Sequence, residues 1–495
     1  MIRELNRLTL ALLAGFGVVA LVAVYWSVVR AETLRERGDN LRNVHADQRL
    51  QRGAIFDRDA VPLAYSVPDE SGMMQRIYPD PAVAGAVGYF SLDYGAAGIE
   101  GAFDNELRGD DVRSGWEEFV DETLHRDPSG SDVRSTLDLD VQQAAAAALG
   151  DRQGAVVVVA VPSGAILALV SQPGIDPNRA EADIEALLPD DETAPLLNRV
   201  TTRRYPPGGA LQTVVLAALL SADPDVSEAA LSVMVPDAAA PVTLALPDED
   251  GDTALTLACL VPPETETLTL AEAYSRGCPA PFALAPGNTL DPVRLWERFA
   301  AFHLLEPPVL AGFDLLPGEP TLLPVSELGP DTLQAEAGGQ GTLLVTPLHM
   351  LQVVVAIANG GNAVPLHLVD AVRPPDADGW HPVSVPLYRP ALLRADVAQV
   401  LRLAMLQAAA QNPLVGRARQ GEMVVYGHSA LAYDEPDETP VAWFVGFADT
   451  TERDEPAALA VVVVIEDEPD PGAAADVAGS ALFAAVQATQ PEQEN

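Results

Sequence analysis

The sequence predicts an α/β protein of the α+β type, in which an apolar anchor and a small irregular region precede one sheet covered by helices. Three observations carry this reading. Residues 8–29 (LTLALLAGFGVVALVAVYWSVV) hold no charged side chain. Gly154–Val161 and Ala165–Ser171 flank the turn Pro162-Ser163-Gly164 as a buried β-hairpin. Strands at Met423–Gly427, Ala442–Phe447 and Ala457–Ile465 return near the other end of the unit, with helices between and after them.

The apolar run of residues 8–29 reaches about 33 Å as a helix, enough to cross a hydrocarbon core. Tyr25 and Trp26 sit near its outer end, where an aromatic belt is expected. A cleaved signal peptide is the rival reading, but its apolar region would be shorter and end in a small-residue cleavage site. Here the run continues into Val28-Val29-Arg30. Arg3 and Arg7 outnumber Glu4 before the helix and favour an inside N-terminus, although Arg30, Arg35 and Arg37 follow it, interleaved with Glu32 and Glu36. The expectation is a cytoplasmic tail at 1–7, a transmembrane helix at 8–29 in the lipid bilayer, and the bulk of the chain outside a cell membrane.

Composition excludes whole classes of chemistry. All 29 Lys+Arg residues are arginine, so Schiff bases, P-loop lysines and serine–lysine catalysis have no lysine to use. With 71 acidic residues and a net charge of −42, the chain repels phosphate and is not expected to bind nucleic acid. The 48% apolar content is that of a folded protein, so the acidity reads as a solvated surface, suited to a salty or acidic setting. The seven histidines (45, 125, 303, 349, 367, 381 and 428) show no metal-ligand spacing, and no metal or cofactor is expected.

Residues 30–135 are polar and broken by Gly and Pro, with a short strand at Arg52–Arg58 and a loop entering a helix at Tyr94–Glu100. A new unit begins near Thr136 and runs to about residue 490. It holds a helix at Asp140–Leu149, apolar helices after Pro206-Pro207-Gly208 and at Pro347–Ala358, and a final helix at Gly472–Gln487. Residues 222–330 read as acidic, proline-rich insertions. Cys259 and Cys278 lie within them, 19 positions apart. Outside the cytoplasm they invite a disulfide worth about 3 kcal/mol of loop entropy. Two buried free thiols are the alternative.

Several segments resemble a class B penicillin-binding protein, a membrane-anchored peptidoglycan D,D-transpeptidase. They are RGAIFDRDAVPLAYS (52–66), YGAAGIEGAFDNELRG (94–109), TLDLDVQQAAAAAL (136–149), GAVVVVAVPSGAILALVSQPGIDPN (154–178), YPPGG (205–209), GQGTLLVTPLHM (339–350), IANGG (357–361) and AWFVGFA (442–448). The resemblance implies a pedestal-like region at 30–135 and a transpeptidase-like domain at 136–490 with an antiparallel sheet flanked by helices.

The family's chemistry needs Ser-x-x-Lys, Ser-x-Asn and Lys-Thr-Gly. After YPPG this chain has Gly209-Ala210-Leu211-Gln212. Glycine carries no nucleophile, and an amide does not accept a proton at useful pH. The second motif aligns with Gly277-Cys278-Pro279, and the third falls at Val425-Tyr426-Gly427-His428-Ser429. Arginine would not replace the lysines as a base, because it stays protonated. The six degenerate positions are therefore Gly209, Gln212, Gly277, Pro279, Tyr426 and His428, and no catalytic residue is assigned.

The resemblance implies peptidoglycan synthesis beside a membrane-embedded glycan polymerase or other wall-synthesis proteins, here as a non-catalytic scaffold or regulator. Two alternatives stand. One is an active transpeptidase with a relocated site. The other is a sensor that binds peptidoglycan stem peptides non-covalently, with Tyr426 and His428 lining a residual groove.

Overall fold

The computed structural model describes residues 12–19, 22, 25, 49–109, 129–187, 193–246, 254–315, 328–375, 377–386, 390–434, 439–450 and 457–489. Most of the expected membrane segment and the tail at 1–7 lie outside these residues. Residues 12–19 are helical, and no helix among the described residues is long and apolar enough to cross a membrane.

The strands that build and flank the site are β1 (Ile55–Phe56), β2 (Pro62–Pro68), β3 (Met74–Ile77), β4 (Asp132–Ser135), β5 (Gly154–Val161), β6 (Ala165–Gln172) and β7 (Val242–Ala245). They continue as β8 (Ala254–Leu257), β9 (Val369–Arg373), β10 (His381–Pro382), β11 (Val424–Ala432), β12 (Val441–Thr450) and β13 (Ala457–Ile465). The helices that matter are α1 (Leu139–Leu149), α2 (Gln212–Ser221), α3 (Leu270–Ser275), α4 (Pro347–Ala358), α5 (Ala395–Gln411) and α6 (Pro471–Thr489).

The central sheet has the order β11-β12-β13-β5-β6, antiparallel throughout. Two of its three inner strands, AALAVVVVI and GAVVVVAV, are near-continuous apolar runs because both faces are covered. Alternation divides them between two cores. Val157, Val159, Val462 and Val464 pack with α2, α4 and α5, whereas Val156, Val158, Val461 and Val463 pack with α1 and α6. The helices expected at Asp140–Leu149 and Pro347–Ala358 and the strands expected at Ala442–Phe447 and Ala457–Ile465 are present, whereas the strand expected at Arg52–Arg58 is only Ile55–Phe56 and β11 runs to Ala432 rather than ending at Gly427.

A second sheet, ordered β10-β9-β4-β1-β2-β3, draws β9 and β10 from far along the chain. It therefore ties the N-terminal region to the large unit. Behind β1–β3, Glu100 is fully buried and receives Arg52 Nε at 2.6 Å and Arg76 Nε at 2.7 Å. Burial pushes this carboxyl up, and the two guanidiniums overcome it and hold the pKa below the ordinary range. Cys259 and Cys278 form a disulfide, as the first of the two readings expected.

Candidate functional site

The turn before α2 is fixed from below. Tyr205 exchanges two backbone hydrogen bonds with Val345, each 2.9 Å, which joins YPPGG to GQGTLLVTPLHM. Its hydroxyl donates to Glu466 Oε1 at 2.7 Å, and Arg199 Nε donates to the same oxygen at 2.8 Å. Its ring meets Trp443 of AWFVGFA edge-on at 5.9 Å. Gly208 follows with φ +50°, and a Cβ there would run into the Leu431 carbonyl of β11. Only glycine lets the turn approach the strand this closely.

Gly209 stands at the first motif position. A Cβ built on it would lie 3.2 Å from Ala430 Cβ and 3.7 Å from Gln212 Nε2. Gln212, one helical turn on, is thus directed at the place a nucleophile would occupy. Only 5% of it is exposed, and its Oε1 has no hydrogen-bond partner.

His428 on β11 closes the other side. Its Nε2 lies 3.2 Å from the Gly209 carbonyl oxygen. A carbonyl only accepts, so Nε2 carries the proton and Nδ1 is a bare acceptor, which is also unpartnered. The imidazole stacks on Tyr274 of α3 at 4.4 Å, and the Tyr274 hydroxyl shares a 2.9 Å hydrogen bond with Thr213 Oγ1. Burial pulls the His428 pKa down to about 4, with only the Gly209 carbonyl opposing it.

Gly209, Gln212, Gly277, Pro279 and His428 line one cavity of about 70 Å³. That holds a few waters and is far below the roughly 300 Å³ at which small-molecule sites begin. Five of the six expected positions therefore meet. Tyr426 does not join them. It stacks on Phe447 at 4.5 Å beneath the Arg402 guanidinium, two residues along β11 and about 7 Å from His428. In this geometry His428 and Ala430 face the first motif, two residues later than the sequence suggests.

Sequence reasoning missed Tyr274, Ala430 and Leu260. Leu260 lines the same cavity and packs on Gly277. Its position next to Cys259, with Cys278 next to Gly277, was the available signal. Of the hydroxyls that could serve a relocated nucleophile, Thr213 is fully buried and Ser429 is 1% exposed, while Ser163 is exposed in the hairpin turn. Among the described residues, no group of three or more His, Cys, Asp or Glu is arranged to hold a metal ion.

Residues 52–133 match the penicillin binding protein A dimerisation domain, and residues 323–486 match the penicillin binding protein transpeptidase domain. The chain is 30% identical to the peptidoglycan D,D-transpeptidase PbpA of Mycolicibacterium smegmatis over 486 residues, covering 94% of each chain. Penicillin-binding protein A of M. tuberculosis, in a ceftriaxone acyl-enzyme complex, superimposes with a TM-score of 0.75 at 28% identity, covering 89% of this chain and 99% of that one. A D,D-transpeptidase domain from Eggerthella lenta gives a TM-score of 0.72 at 28% identity, covering 89% and 99%. With its fold, its framework segments and near-full-length similarity in agreement, the chain belongs to the class B penicillin-binding proteins of peptidoglycan synthesis.

Proposed function

We propose that this chain is a non-catalytic, membrane-anchored member of its family, serving peptidoglycan synthesis as a scaffold or regulator. One observation carries the reading: at the place where acyl transfer needs a nucleophile beside a base, the chain offers Gly209 and Gln212. No lysine exists anywhere in the sequence to supply the base from elsewhere. Residues 8–29 provide the anchor, and that segment with residues 30–135 provides the contact with a membrane-embedded glycan polymerase or another wall-synthesis protein. The small cavity weighs against a sensor for stem peptides, and the buried hydroxyls weigh against a relocated site.

The test is incubation with a fluorescent penicillin followed by denaturing electrophoresis. The M. tuberculosis relative was solved as acyl-enzymes, whereas this chain is expected to carry no covalent label. A label mapped to any serine of this chain would sink the proposal.

A further inference from the structure

Beyond the three motif positions and Ala337-Gly338, a further segment lines the cavity. β7 and β8 pair as a hairpin, and the chain leaves β8 through Ala258 and Cys259 to Leu260. Thr256, Leu257, Ala258 and Leu260 form one wall. Gly277 has φ +63°, and a Cβ there would lie 2.8 Å from Leu260 Cδ1 and 2.9 Å from its Cγ. Leu260 thus fills the space that a side chain at the second motif would need.

The disulfide joins the residues immediately beside this contact, Cys259 and Cys278. Thr256 and Leu257 are held in the ladder with β7, and beyond them the remaining attachments are few. Val261 N–H donates to the Arg276 carbonyl at 3.1 Å, Arg276 Nη1 donates to the Pro262 carbonyl at 3.3 Å, and Leu257 packs on a small cluster of Val242, Leu244, Ala280 and Ala283. Cys278 is fully buried and Cys259 only half-buried, so an attacking thiolate reaches the Cys259 sulfur first.

We infer that residues 258–261, which follow the end of β8, are a redox-released plug, with Leu260 as the stopper and the Cys259–Cys278 disulfide as its latch. An extracytoplasmic dithiol opens it. Its thiolate attacks Cys259 Sγ, Cys278 leaves as a thiolate and is protonated, and the second thiol of the reductant displaces Cys259. Two electrons and two protons pass to the protein, and the dithiol becomes a disulfide. Freed of its latch, the segment swings off Gly277 and exposes the unpartnered Nδ1 of His428. This does not rest on the site being inactive: a penicillin label would overturn the proposed function and leave the latch standing.

The experiment treats the full chain with diethyl pyrocarbonate, which modifies accessible neutral imidazoles, and reads each histidine by mass spectrometry. His428 is expected to be silent in the oxidised chain. In Cys259→Ser/Cys278→Ser, as in chain reduced by a dithiol, it reacts roughly tenfold to a hundredfold faster, as loss of a crosslink over a loop of this size permits. Leu260→Ala, with the disulfide intact, also raises its reactivity. His349, 2% exposed and bonded through Nε2 to the Glu306 carbonyl, stays protected throughout. Unchanged His428 protection in the serine variant or in Leu260→Ala would overturn the latch. So would equal gains at His349 and His428, which would make the disulfide a general staple.

Discussion

His428 donates its Nε2–H to the carbonyl oxygen of Gly209 across 3.2 Å, and this one bond ties the third motif strand to the first motif turn. Stacking on Tyr274 adds α3, the helix that leads into Gly277. An imidazole therefore fastens together three segments that, in an acyl-transfer site, would surround a reacting serine. Such a bond is worth about 1 kcal/mol and the stack about as much again.

Acid destabilises this arrangement. Burial pulls both His428 and His349 down to about pKa 4 from an ordinary 6.5. The unfolded chain takes up these protons below pH 6.5, while the folded chain refuses them until about pH 4. Stability from both groups is complete above pH 6.5 and is lost as pH falls to 4, by on the order of 2–3 kcal/mol each. Urea unfolding across pH 4–8 checks this, and His428→Phe, which keeps a stacking ring, is expected to flatten part of the slope. A slope unchanged in that variant would remove His428 from the account.

Gln212 gives a prediction of opposite sign. Its Oε1 is a buried acceptor with no partner, a state that costs about 1–3 kcal/mol. Gln212→Met keeps the length and removes the polar atom, so it is expected to stabilise the chain by about 1 kcal/mol. Loss of stability in equilibrium denaturation would show that a donor satisfies Gln212 in solution.

Much of the fold was legible because apolar runs and turn residues are local signals. Pro347–Ala358 and Ala457–Ile465 appear with the expected bounds, and the hairpin at Gly154–Gln172 differs by one residue. The extension of β11 was not legible, since Ser429, Ala430 and Ala432 are short-chained and its strand identity comes from pairing with Val441–Phe444. That extension decides which residue faces Gly209, so five of the expected positions share one cavity while Tyr426 lies outside it. Leu260 was invisible for a related reason: it reaches Gly277 through a cross-chain contact that no periodicity encodes.

The buried carboxylate of Glu100 is expected to be the costliest single loss in the N-terminal region. Glu100→Gln leaves the almost fully buried Arg76 without its countercharge and Arg52 with Asp104 alone. Removing one partner of such a cluster costs about 3–5 kcal/mol. Hydrogen exchange should rise in residues 52–77 and 98–108 before it rises in the central sheet. Uniform loss of protection would mean that the two sheets unfold as one unit.

Salt should act in the other direction, on the surface. A net charge of −42 repels itself, and screening shortens that repulsion from about 10 Å at 0.1 M to about 3 Å at 1 M. The thermal midpoint is expected to rise steadily between these concentrations of sodium chloride. A flat or falling curve would show that the acidic surface is already neutralised by bound cations or local ion pairs.

Restoring the first motif alone is expected to fail. Gly209→Ser/Gln212→Lys would return a hydroxyl and an amine one helical turn apart, yet three constraints remain. The new Cβ at 209 meets Ala430 at 3.2 Å, closer than most such contacts, so β11 must yield. A lysine replacing a 5% exposed glutamine enters an apolar enclosure that has already pulled His428 to about pKa 4, and this disfavours its charged form. The second motif contributes neither hydroxyl nor amide, because Gly277 and Pro279 stand there with Leu260 packed into the gap. A β-lactam therefore finds a cavity of about 70 Å³ where it needs several times more. The double variant should stay unlabelled by fluorescent penicillin, and adding Leu260→Ala with Gly277→Ser should raise labelling only if the φ +63° backbone at 277 relaxes. Strong labelling of the simple double variant would show instead that the cleft opens readily, and that loss of the serine and lysine alone separates this chain from an active transpeptidase.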